Sequence, residues 1–361
     1  MKMRKIVCSF MISVVCFMTA ISGVSATSYD TSKINAAYSK VVEYYKNNNN
    51  LNNADKILAV ESLGLEAESN QFDTSSADLS STSLSKKIVT EVLLGVDPTE
   101  DKKTLESQID VNGNVEGSWG ASSDVWTLYA LYVTSSEKTN LIANKLNDEL
   151  AASSVCGYEW GGTYYADYDT TGWVIEGLAV VNKEKYATTI NKAIDYIKNN
   201  TTMTTTGWVT ADNVDTQSQV LEGMFAYDTN ALLNDSYTVH PVDCLLNTQL
   251  SDGSFPSGYN AEYTTAEVAK TLGTYKNGSV IIKAKKAYDK MMNPEQPDNT
   301  KPAQPTDTKK DSQSTNKVET TNQKTTSVKT GDETNVVIFV SLSMVSGGLF
   351  LVLRKEYERV H

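Results

Sequence analysis

Four acidic residues recur in one local setting. Asp124, Asp169, Asp215 and Glu262 each follow a glycine–aromatic corner by a few residues, and successive members stand 45, 46 and 47 positions apart. An acid followed by Thr or Ser at a helix start reads as a cap, its carboxylate accepting free backbone N–H groups at the favourable end of the helix dipole. The functional alternative is that these helix starts converge on one mouth. The acids would then ring a cavity, and a pair of them could do acid–base work of the glycosidase kind. Asp167 places a second carboxyl two residues before Asp169.

Aromatic residues cluster beside these acids. All five tryptophans, Trp119, Trp126, Trp160, Trp173 and Trp208, lie among them, and the loop 157–169 adds Tyr164, Tyr165 and Tyr168. Tyr259 and Tyr263 flank Glu262. Rings with polar tips on a loop rim suit a sugar face or a partner surface. The packing alternative, expected for Trp119, Trp208 and Phe255, is that each corner wedges a ring between neighbouring helical pairs. The candidate ligand-binding set is Trp160, Tyr164, Tyr165, Tyr168, Trp173, Tyr259 and Tyr263 with Asp124, Asp215 and Glu262.

Other chemistries lack their residues. His240 is the only histidine before the terminal His361, which leaves no convincing zinc site and a single base for a Ser-His-Asp arrangement. No metal and no cofactor are expected. His240-Pro241 instead reads as the opening of a helix containing Leu245 and Leu246. Cys156 and Cys244 stand far apart in the sequence, as a disulfide or as two buried thiols.

Residues 27–292 hold 20 Lys, no Arg and 35 Asp or Glu. That acidity argues against a nucleic-acid partner, which needs a positive footprint. The same segment is an internal repeat of about 46 residues, and one step back from Asp124 falls on Asp78. After each acid comes a stretch apolar on nearly all sides, such as Trp173–Val181, which predicts a buried helix. A one-sided stretch follows, such as Tyr186, Ile190, Ala193, Ile194 and Ile197, or Ile281, Ala284, Tyr288 and Met291, which predicts an outer helix. With Ser32–Lys46 and Ala54–Leu65 as a first pair, six pairs result. Six pairs can close on themselves without exposed ends, so the expected fold is all-α, an (α/α)6 toroid over residues 27–292.

Gln249-Leu-Ser-Asp-Gly253-Ser-Phe255 resembles the Gln-x(n)-Gly-x-aromatic motif of squalene-cyclase and prenyltransferase repeats, as do the Asp-Thr-Thr and Asp-Thr-Gln-Ser helix starts. The resemblance implies the toroid over about residues 30–292, a fold that hosts many activities. Asp167-Tyr168-Asp169-Thr170-Thr171 is further similar to the acid signature of class II terpene cyclases. That similarity implies an alkene-protonating role for Asp169, with Asp167 beside it. Cobalamin carriers and thioester domains use related toroids, but the thioester Cys-Gly-Glu-Gln sequence is absent here.

The two ends read as an address. Residues 1–26 carry Lys2, Arg4 and Lys5, an apolar run from Ile6 to about Ile21, and Val24-Ser25-Ala26 as a cleavage site, which is the pattern of a secretory signal peptide. Residues 293–330 contain four of the seven prolines and many threonines, the composition of an extended, solvated spacer. At the other end, Ser327-Val328-Lys329-Thr330-Gly331 precedes an uncharged stretch, 336–353, and then Arg354-Lys355. That stretch is about long enough for a membrane helix, with the basic end in the cytoplasm. Residues 327–361 together resemble the cell-wall sorting signal of Gram-positive surface proteins. The resemblance implies cleavage between Thr330 and Gly331 by a sortase and attachment of Thr330 to peptidoglycan. A plain membrane anchor is the alternative, with Ser327-Val328 standing where that family has Leu-Pro.

The expected function is a surface-displayed binding module for an extracellular glycan, host protein or small molecule. The alternatives are a cyclase-like enzyme using Asp169 or a cobalamin-carrier-like binder. The expected partners are sortase and peptidoglycan, with the membrane engaged through 336–353 before processing.

Overall fold

The computed structural model describes residues 29–68, 80–208 and 213–294. Its elements lie in one compact unit that ends at Asn293. Among the described residues the chain is all-α apart from one short hairpin. In order come α1 (Thr31–Asn47), α2 (Ala54–Ser62), α3 (Ser81–Leu93), α4 (Thr99–Ser107), α5 (Ala121–Val133) and α6 (Thr139–Ser153). Then follow β1 (Gly157–Trp160), β2 (Thr163–Ala166), α7 (Tyr168–Asn200), α8 (Val214–Asn234), α9 (Pro241–Leu246), α10 (Ala261–Asn277) and α11 (Val280–Met292).

Six helices close a cycle. α2 packs on α3, α3 on α5, α5 on the first half of α7, α7 on α8, α8 on α10, and α10 back on α2. These are the segments apolar on nearly every side; α5 buries all but two of its thirteen residues. The helices of the cycle run parallel, because contacts join residues about one repeat apart. Trp126 meets Trp173 edge-on at 5.9 Å, Tyr129 Oη donates to Glu176 Oε2 at 2.9 Å, and Gln219 Nε2 donates to Glu267 Oε2 at 3.0 Å. The α7–α8 contact needs glycine on both helices. A Cβ on Gly172 would lie 2.4 Å from the Gln219 carbonyl oxygen, and one on Gly223 only 2.3 Å from that of Gly172.

Two expected helical pairs are fused. α7 and α8 each continue from an inner segment into a second one through a single extended residue, Asn182 (φ −165°) or Asp228 (φ −156°). Their side chains cap the following turn: Asn182 Oδ1 accepts from the Lys185 N–H and Asp228 Oδ1 from the Ala231 N–H, both at 2.9 Å. A capping side chain here does the work of a loop.

α11 departs from the expected pattern. Its apolar stripe is present, with Ile281, Ala284 and Tyr288 buried, but it packs on α2, α3 and α5 as well as on α10. Ser279 Oγ donates to Glu176 Oε1 at 2.6 Å, and Lys283 Nζ lies 2.6 Å from Glu61 Oε2 near the end of α2. α11 therefore crosses the C-terminal end of the cycle and leaves the N-terminal end, here called the mouth, uncovered by it.

Polar residues close to each repeated acid tie down the corners. The Trp119, Cys156, Trp208 and Phe255 amides donate to Ser123 Oγ, Thr171 Oγ1, Gln217 Oε1 and Thr265 Oγ1 at 3.2, 3.0, 2.9 and 3.0 Å. Gln249 Nε2 donates to the Ala37 and Gly253 carbonyls at 3.0 and 3.2 Å, which joins its corner to α1. Gly253 adopts φ +94° with Lys40 so close that any side chain would clash. The expected signal segment, Asp78, the expected spacer beyond 294, Thr330, Gly331 and 336–353 lie outside the described residues. Among the described residues no helix is long and apolar enough to cross a membrane.

Candidate functional site

A cleft of about 790 Å³ opens between the corner before α5, the outer helix α6 and the hairpin β1–β2. An isolated bridge between Gly120 and Tyr158 pins the hairpin to the corner. That brings Trp119 (49% exposed), Trp160 (47%) and Tyr164 (44%) to one opening. The floor is polar. Asp124 is fully buried; its Oδ1 accepts from Ser118 Oγ at 2.6 Å and its Oδ2 lies 2.8 Å from Lys145 Nζ. Tyr164 Oη donates to Glu149 Oε1 at 3.3 Å. Burial raises the Glu149 carboxyl above the usual range, although the Gly157 amide and Tyr164 oppose it. The arrangement offers flat apolar faces at the rim and fixed donors and acceptors beneath.

The interior of the cycle is the second constellation. Three of the inner helices carry a stripe at steps of four and three: Asp169, Trp173 and Glu176 on α7; Asp215, Gln219 and Glu222 on α8; Tyr263, Glu267 and Lys270 on α10. Lys270, 2% exposed, lies 2.9 Å from Glu267 Oε2 and 3.9 Å from Glu222 Oε2. Lys86 is 2.9 Å from Asp55 and 4.5 Å above the Trp126 ring. Burial would lower the Lys270 ammonium, but Glu267, Glu222 and Asp55 outweigh it and hold the ion charged. The acids are less evenly compensated. Burial raises Asp169 well above the ordinary carboxylate range, and Asp167 and Asp215 add to the shift. Burial likewise raises Glu222 strongly, and raises Asp215 and Glu176.

The repeated acids are not the N-caps. Asp167 caps α7 by accepting from the Thr170 N–H at 3.1 Å, and Asn260 caps α10 by accepting from the Tyr263 N–H at 3.1 Å. Gly120 and Asn213 stand at the cap positions of α5 and α8. Asp124, Asp169, Asp215 and Glu262 all fall two to four residues later, in the first turn. Asp169 and Asp215 come together at the mouth, where Tyr259 donates to Asp215 Oδ2 and lies 6.4 Å from Tyr263. Asp124 faces the cleft instead, and Glu262 turns to Lys56 at 2.9 Å with most of its side chain in solvent. A single ring of four acids is not formed.

Tyr165 stacks on Tyr158 at 5.5 Å, and Tyr168 packs on Trp208 at 5.4 Å. Phe255 is buried as a packing ring should be, whereas Trp119, expected to pack, is half-exposed. The hairpin was not expected: the aromatic loop reads as irregular until Tyr158 and Tyr165 are seen as a cross-strand pair. Cys156 and Cys244 are separate buried thiols. His240 caps α9, whose first residue is Pro241, and sits against Tyr29 at 4.2 Å. Among the described residues no group of three or more His, Cys, Asp or Glu could hold a metal ion.

The chain matches no protein-family model, no curated protein and no solved structure. The geometry has to carry the function.

The residues missed from sequence are Glu149, Glu176, Glu222, Lys145 and Lys270. A signal existed for three of them. Glu176, Glu222 and Lys270 are charged residues inside apolar helices, spaced by 46 and 48, and a recurring charge in a buried helix marks a shared interior.

Proposed function

We propose that residues 27–292 form an (α/α)6 toroid of the prenyltransferase and squalene-cyclase repeat type, displayed on a Gram-positive cell surface as a glycan-binding module. Export through 1–26, a spacer over 293–330 and sortase attachment at Thr330 to peptidoglycan complete the reading. The observation that carries it is the aromatic cleft: Trp119, Trp160 and Tyr164 stand exposed around a polar floor of Asp124, Lys145 and Glu149. Sugar rings present axial C–H faces that lie on aromatic rings, and hydroxyl groups that need paired donors and acceptors. About 790 Å³ is room for a short run of sugar units. The parallel inner helices, the Gly-aromatic corners and the Gln249 contact to α1 support the repeat type.

The test is retardation in gels cast with soluble polysaccharides, followed by titration of the retained sugar. Replacing Trp119 and Trp160 together by Ala removes two exposed rings and leaves the core untouched, so affinity falls at least about tenfold with unchanged thermal unfolding. Equal retardation of the double variant and the parent on every retained polysaccharide refutes the cleft as the site.

A further inference from the structure

The interior of the cycle carries a ligand argument independent of the cleft. Among the described residues of its stripes, the unpartnered buried acceptors outnumber the one unpartnered donor, Trp173 Nε1. Asp169 Oδ1, Asp215 Oδ1, Gln219 Oε1 and Glu267 Oε1 are buried with no hydrogen-bond partner among the described residues. Gln219 and Glu267 are 1% and 0% exposed, so water at the outer surface does not serve them. Gln219 is the decisive member. Its Nε2 is committed to Glu267 Oε2 and Tyr263 Oη, and its amide oxygen cannot correct the shortage by taking up a proton, as a carboxylate can. Lys270 supplies the nearest positive charge, but its ammonium is already engaged by Glu267 and Glu222.

Three further observations fix the chemical class. The surplus is negative, which calls for a cation. No three metal-ligating side chains converge among the described residues, which speaks against a bare metal ion. Tyr263, half-buried, accepts from Gln219 Nε2, and Trp173, also half-buried, stands one turn beyond Asp169 on α7; both rings suit the alkyl part of an organic cation. We propose that the mouth of the helical cycle binds a small primary organic ammonium ion. Its N–H groups donate to Gln219 Oε1 and to the carboxylates of Asp169 and Asp215, and its methylene groups lie on Trp173 and Tyr263. Tyr259, held to Asp215 and 48% exposed, stands at the entrance.

The test uses the full chain and two probes, n-butylamine and its neutral counterpart 1-butanol. Calorimetric titration and thermal unfolding are recorded with each. The expected result is saturable heat and a raised melting temperature with butylamine, neither with butanol, and neither with sodium or potassium chloride at equal concentration. Asp169→Asn and, separately, Asp215→Asn weaken the amine at least about tenfold, the loss expected for a charge-assisted donor pair. The Trp119→Ala, Trp160→Ala double variant keeps full amine affinity, because its rings line the other site. Absence of saturable amine binding in the parent, or equal responses to amine and alcohol, overturns the proposal without reference to any variant. Undiminished amine affinity in a folded Asp169→Asn or Asp215→Asn chain overturns it as well.

Discussion

Replacing Lys270 by Met tests how the interior charges are held. The side chain keeps its length and loses its charge, so packing against Trp126 changes little. At 2.9 Å from Glu267 the ammonium attracts that carboxylate by about 6 kcal/mol at an effective dielectric near 20. Removing the ion from water costs several kcal/mol, which offsets part of that gain. Truncating one partner of a buried pair leaves the other charge uncompensated, and the measured cost of that is about 3–5 kcal/mol. For a unit of this size the melting temperature falls by roughly 6–20 °C. Urea unfolding at neutral pH measures it directly. The double change Glu267→Gln with Lys270→Met removes both charges and should recover more than half of the loss. A Lys270→Met chain with the parent's urea midpoint refutes the account, and so does a double variant no more stable than the single one.

Gly172→Ala forces α7 and α8 apart, because the new Cβ would stand 2.4 Å from the Gln219 carbonyl oxygen. A loss of about 1–3 kcal/mol in urea unfolding is expected, and an unchanged midpoint would show that the contact can relax freely. Glu91 governs part of the pH dependence. Burial, with Asp101 beside it, pushes its carboxyl from 4.5 to about 7 despite Lys87. Between about pH 4.5 and 7 the folded state keeps a proton that the unfolded chain releases, so stability falls as pH rises through that window and levels off above it. Glu91→Gln removes this part of the slope; urea midpoints across the window that fall as steeply as the parent's would contradict it.

The first helical pair, expected at 32–46 and 54–65, is found at Thr31–Asn47 and Ala54–Ser62. The repeat spacing anticipated the inner helices because burial on every side leaves an unmistakable composition. What escaped was set by distant contacts. The stripe Ile281, Ala284, Tyr288 announces an amphipathic helix but not which surface it covers. Asn182 and Asp228 look like ordinary polar breaks, although each caps a helix without a loop. The acids at 124, 169, 215 and 262 share a sequence setting, yet their environments separate. Lys145 turns Asp124 to the cleft, Lys56 draws Glu262 outward, and only Asp169 and Asp215 meet. Asp167 capping α7 leaves Asp169 without that structural duty, a division the spacing alone could not assign.

Closure of the cycle has a kinetic consequence. Ser62 Oγ meets the Ala269 carbonyl across 207 residues of chain, so the last seam forms only after nearly the whole unit has been made. Until then α2 and α10 each present a bare apolar flank. Such long-range pairing slows assembly and exposes sticky surface while it waits. A chain shortened before Val280 would also lack the helix that covers the far end, and should be retained by chaperones or degraded.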